Sequence, residues 1–206
     1  HRAYVALLKR VGIQTGRIEG NGHVWTAVRI NGQWMQVDAT WNDGGNSSDE
    51  VIRHMYFGLD DATMALVHSD HSPNSGYESN TLANSYLVRQ GLISQWTSAY
   101  RSTVQSNINQ GKTSFSTPIN KSQSHFNNYH HLNVITNVVA YDLGSVLWYT
   151  GGYPVRIKAS IDKPAYYSNG VGIVAGNFVV SATYLGDTSP ESPESLTAKV
   201  NTTETS

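Results

Sequence analysis

Residues 22–41 read GHVWTAVRINGQWMQVDATW, and their reading decides the fold. The stretches 23–30 and 33–40 are rich in β-branched and aromatic side chains, as strands are. Between them, Asn31-Gly32 is the strongest short hairpin signal, because both central residues of the tightest turn need positive φ. Two neighbouring antiparallel strands are therefore predicted. With the turn centred there, His23 faces Thr40, and Asp38, two residues away on the partner strand, lies on the same face. An aspartate beside a histidine fixes the imidazole tautomer and leaves the other ring nitrogen free to take a proton from a nucleophile.

The rest of the chain bounds what that pair can serve. At 206 residues it suits one domain, or a domain with a compact extension. Charged residues are 14% and the formal net charge is -1, so nothing marks a nucleic acid or an anionic lipid surface as partner. No run reaches the roughly 18 apolar residues of a membrane span. There is no cysteine, hence no disulfide, no thiolate metal site and no thiol nucleophile within these residues. A composition rich in Ser, Asn, Thr, Gly and Tyr and poor in Lys and Glu leans towards an exported bacterial protein, extracellular or on the cell surface. The sequons at Asn46, Asn120 and Asn201 matter only in a eukaryotic secretory host.

Around the hairpin, Tyr4, Leu7, Leu8 and Val11 recur at helical spacing and stop at Gly12, a natural helix-ending residue. A short strand is expected over residues 15–19. A polar loop, NDGGNSSDE, follows the hairpin, then an extended piece near Met55 to Phe57 and a helical turn after Asp60. Leu92, Trp96, Tyr100, Val104 and Ile108 form the stripe of an amphipathic helix ending at Gly111. The segment TSFSTPI alternates like a strand that Pro118 confines to an edge. A second helix carries Leu132, Ile135, Val139 and Leu143 and is expected to close at Gly144. The segments YPVRIKASI and GIVAGNFVVSATYL read as strands. The expected division is a core over residues 1–90, an α/β extension packed on it over 91–185, and a Ser/Pro/Glu/Thr-rich disordered tail over 186–206.

GHVWTAVRINGQWMQVDATWND resembles the His and Asp motifs of the transglutaminase-like superfamily, at His23, Trp25, Gly32, Trp34, Val37, Asp38, Thr40 and Trp41. YFGLDDATMALVHSDH resembles the segment that follows the core in bacterial members, and HRAYVALLKRVGI the end of the helix that begins with the catalytic cysteine. The clear resemblance covers roughly residues 1–72. It implies an α+β fold, a papain-like transglutaminase core in which a helix packs on an antiparallel sheet, with the α/β extension added. It also implies a thiolate at a helix N-terminus, His23 as general base and Asp38 as its orienting partner. The His1 end of the first helix should then face the His23 ring. A helix terminus and a protonated imidazole both favour thiolate over thiol. Trp25, Trp41 and Asn42 are the expected substrate-binding residues, and Trp34 a core aromatic.

The implied function is a cysteine acyltransferase or peptidase acting on protein or cell-wall peptide substrates, peptidoglycan-linked ones included, without cofactor or metal. The implied cysteine falls just ahead of His1, so the 206 residues alone are expected to be inactive. Truncation is the leading explanation, since the chain lacks an initiator methionine and opens inside a helix. A non-catalytic surface module with the same fold is the alternative, and a substitute nucleophile comes last. Of the remaining histidines, His68, with Asp70 and His71, reads as a solvated turn. His130 and His131 occupy successive helical positions whose side chains diverge.

Overall fold

Two Asn-Gly turns set the register of the first sheet. Asn21 and Gly22 have φ 49 and 75, Asn31 and Gly32 have φ 50 and 79, so both turns are of the double left-handed kind that matches strand twist. In the computed structural model, which describes residues 1–68, 76–119, 129–169, 171–173 and 176–186, they link β1 (Thr15–Gly20), β2 (His23–Ile30) and β3 (Gln33–Val37). The β2–β3 register, Thr26 opposite Val37 and Arg29 opposite Trp34, is the predicted one. With β4 (Phe57–Leu59) these strands make an antiparallel sheet in the order β1-β2-β3-β4. β3 stops at Val37, short of the predicted Thr40, because Asp38 turns the chain. The expectations for Asp70, His71, Asn120, Asn201 and the tail beyond residue 186 lie outside the described residues.

Strand alternation gives this sheet two different faces. Val28, Met35 and Val37 form a small cluster against Tyr4 and Leu8 of α1 (Arg2–Arg10), which stops at Gly12, φ 77. The opposite face, with Ile18, Trp25 and Ala27, enters the main core. On the way to β4, Asp49 accepts Val51 N–H at 2.9 Å and opens α2 (Glu50–His54), an unexpected helix that starts at the last residue of the segment read as loop. Five residues are too few for a helical stripe, so only the Asp49 cap announced it. After β4, α3 (Asp61–Val67) begins at Asp60, whose carboxylate accepts Thr63 N–H at 2.9 Å.

The remainder runs α4 (Tyr86–Arg89), α5 (Ser94–Asn109), β5 (Ser114–Pro118), α6 (Tyr129–Ser145), β6 (Leu147–Thr150), β7 (Tyr153–Ile161), β8 (Tyr166–Ser168), β9 (Val171–Ile173) and β10 (Asn177–Tyr184). A second antiparallel sheet has the order β5-β10-β7-β6, with β5 and its Pro118 at the edge as expected, and β8 and β9 pair as a short ribbon. Gly144 does not close α6, which runs on to Ser145. A Cβ there would lie 3.2 Å from the Ile157 carbonyl oxygen, so this glycine serves the close approach of β7. Trp96, Tyr100, Val104 and Ile108 of α5 and Leu132, Ile135, Val139 and Leu143 of α6 are buried, as their periodicity predicted. One continuous cluster joins Ile18, Trp25 and Met64 to Ile135, Leu143, Val155 and Phe178 across both sheets. The described architecture is a mixed α+β fold.

Candidate active site

Where β3 ends, Asp38 is wholly buried and its two oxygens divide the work. Oδ1 accepts the backbone N–H groups of Thr40 at 3.0 Å and Trp41 at 3.1 Å, the local bonding by which aspartate nucleates a turn. The Asp38 N–H donates to the Tyr56 carbonyl at 3.1 Å, tying the turn to the lead-in of β4. Oδ2 meets Nε2 of His23 at 2.6 Å. The predicted pair is therefore in contact, through the turn in place of a longer ladder. With Nε2–H donated to Asp38, the lone pair of His23 lies on Nδ1, and among the described residues nothing bonds to it. The His23 side chain is 30% exposed, so its free nitrogen stands at a rim that solvent reaches.

His68 was not among the predicted site residues, and the solvated-turn reading of it is corrected. Its Nε2 meets the same Asp38 Oδ2 at 2.7 Å, and its side chain is 3% exposed. The ring lies 4.1 Å from Trp41 and 4.6 Å from Trp25, centroid to centroid. The physical reason is the end of α3: His68 takes an extended conformation, φ -114 and ψ 93, which leads the chain away from the helix. Its sequence signal was its place at the end of the apolar run Met64-Ala65-Leu66-Val67. Burial pushes the Asp38 carboxyl up, but hydrogen bonds from His68, His23 and Trp41 N–H, with the attraction of His23, outweigh it and hold the group below its ordinary value.

Trp25 is buried behind the pair, its indole N–H donating to Gln36 Oε1 at 2.6 Å, and Gln36 donates on to Asp61 Oδ1 at 2.5 Å. A polar chain from the first turn of α3 thus fixes the indole on which His23 stacks at 5.8 Å. Trp41 is half-buried and packs against His68 at 4.1 Å and His130 at 5.1 Å. Asn42 accepts Tyr56 N–H at 2.7 Å and so braces the turn. Trp34 packs on Tyr77 at 5.0 Å, away from the pair. His130 and His131 do take different neighbours, yet both reach the site's aromatic shell, His131 lying 6.4 Å from Tyr56. Burial, then the neighbouring His68 and His131, hold His130 below its ordinary value where it stacks on Trp41.

The start of α1 reaches the same end of the sheet. His1 Nδ1 and Thr26 Oγ1 are 2.9 Å apart, and Thr26 pairs with Val37, the residue before Asp38. Thr26 lies three residues, about 10 Å, along β2 from His23. Its side chain belongs to the face that α1 covers, so the helix arrives at the strand end from the side opposite His23, and its His1 end does not face the His23 ring as the resemblance implied.

The donor atoms of His23, Asp38 and His68 lie within 4.8 Å of one another, a two-imidazole, one-carboxylate set. Tetrahedral zinc, with bonds of ~2.0–2.1 Å, would space such ligands about 3.3 Å apart. The observed nitrogen-to-oxygen distances of 2.6 and 2.7 Å are those of hydrogen bonds with a proton between the atoms. Chemically, the arrangement offers a base at His23 Nδ1 backed by a buried anion that compensates the imidazolium. No family model, curated protein or solved structure matches this chain.

Proposed function

We propose that this chain carries the base half of a transglutaminase-like cysteine site, in a papain-like core that transfers acyl groups from protein or cell-wall peptide substrates outside the cell. The observation that carries the reading is the contact of His23 Nε2 with the buried Asp38 at 2.6 Å, at the end of a sheet to which the N-terminal end of α1 is also tied. A leading helix followed by a three-stranded antiparallel meander, with His opening the second strand and Asp directly after the third, supports the same reading. In the proposed reaction His23 Nδ1 takes the proton of a thiol carried by the chain ahead of His1, which crosses the end of the sheet from the α1 side to reach the ring. The thiolate attacks a carboxamide or peptide carbonyl, the imidazolium returns the proton to the departing ammonia or amine, and an amine or water then resolves the thioester. Asp38 stays ionised throughout and stabilises the imidazolium. Trp41 would flank the acyl donor, with Trp25 supporting His23 from behind.

The 206 residues contain no cysteine, and that observation favours the second reading, a non-catalytic surface module that binds a protein or cell-wall ligand. One experiment separates the two. The chain is extended with a cysteine within about five residues ahead of His1, the reach of one helical turn and its cap. Incubation with a glutamine peptide should then yield a covalent adduct with loss of ammonia in the intact mass, abolished by His23→Ala. A folded extended chain that forms no adduct with glutamine or peptide donors contradicts the catalytic reading.

A further inference from the structure

The acceptor positions of Asp38 are all taken. An ionised carboxylate offers about four lone pairs on two oxygens. Thr40 and Trp41 N–H fill Oδ1, and His23 and His68 fill Oδ2. The two backbone donors belong to Asp38's own turn and move with it. His23 stands at the rim. His68 is the donor that is both buried and carried by a separate element, at the end of α3 and 30 residues away in sequence.

We propose that His68 is a positioning residue of this site: its Nε2–H anchors Asp38 Oδ2, so that the buried carboxylate stays aimed at His23. The proposal rests on His23 being the base, and does not depend on which nucleophile it serves. Packing alone does not call for a histidine here. A phenyl ring would fill the space between Trp25 and Trp41 without burying Nδ1 of His68, which has no hydrogen-bond partner among the described residues. The ring that buries this idle nitrogen is held where its other nitrogen meets the carboxylate. Of the influences that keep Asp38 below its ordinary value against burial, the His68 bond is the foremost.

Long-range proton–nitrogen NMR of the whole chain tests this directly. His68 should carry its proton on Nε2 and none on Nδ1; a bare Nε2 facing Asp38 overturns the proposal, whatever any variant does. In His68→Phe, which keeps the aromatic packing, the His23 Nε2–H should exchange with water about tenfold faster. The Asp38 carboxyl should also titrate at higher pH. His68→Gln, which retains a donor, should recover most of both changes. Exchange and titration unchanged in a folded His68→Phe chain overturn the proposal. Should that variant not fold, His68→Met replaces it, with the same readings and the same contrast to His68→Gln. None of these readings uses a thiol, so their failure is distinguishable from failure of the acyl-transfer experiment.

Discussion

Asp38 is the residue on which the site turns, and its chemistry sets two expectations. Four donors converge on its buried carboxylate, and its removal strands the buried one, His68. Asp38→Ala should cost about 1–3 kcal/mol in urea unfolding, the range for leaving a buried donor unsatisfied. Loss of less than about 1 kcal/mol, ordinary for a solvated group, would mean that the carboxylate is not enclosed as described. The second expectation concerns pH. The folded chain holds Asp38 below its ordinary value, so the unfolded chain takes up the proton first as acid is added. The stabilisation is complete above the ordinary aspartate range and is lost as pH falls through the lower folded-state value. Urea midpoints measured down the acid range should fall more steeply in the native chain than in Asp38→Asn. Parallel slopes would contradict the account.

At the scale of elements, the site depends on where short pieces of chain meet, and Gly58 in β4 is the tightest such meeting. It has φ 89, and a Cβ there would lie 2.2 Å from the backbone oxygen of Asn84. Gly58→Ala should therefore cost more than about 2 kcal/mol, through backbone strain and displacement of the segment before α4. Thermal or urea unfolding checks it, and a neutral substitution would refute this packing of β4. The same scale explains what could be read in advance. The hairpin register was legible because Asn-Gly has few alternatives, and the α5 and α6 stripes because each recurs over several turns. His23 and Asp38 were legible because a hairpin converts sequence offset into distance. The short α2 and α4 were not, since neither is long enough for periodicity. His68 was missed because its contact with Asp38 spans 30 residues and is created by the path of α3, to which local pattern is blind. The position of His130 on Trp41 has the same origin, in the packing of α6.

For the whole molecule, the main core crosses the division expected near residue 90. Trp25, Met64 and Leu82 share one cluster with Val134, Ile135, Val138 and Phe178, so the first half is built around side chains from the second. The full chain should unfold in one transition, with tryptophan fluorescence and far-UV circular dichroism coinciding. A fragment of residues 1–90 should fail to fold cooperatively, and Ile135→Ala should cost about 2–5 kcal/mol. A fragment with native-like amide dispersion would show that the halves are independent. On the proposed reading, this assembly presents His23 as the base that ionises a thiol carried by the chain ahead of α1. The most direct measurement is the pH dependence of iodoacetamide alkylation of a cysteine introduced just ahead of His1, in chains with and without His23→Ala. Alkylation as a thiolate is expected well below the ordinary thiol range, returning to that range when His23 is removed. Ordinary thiol behaviour in both chains would contradict it.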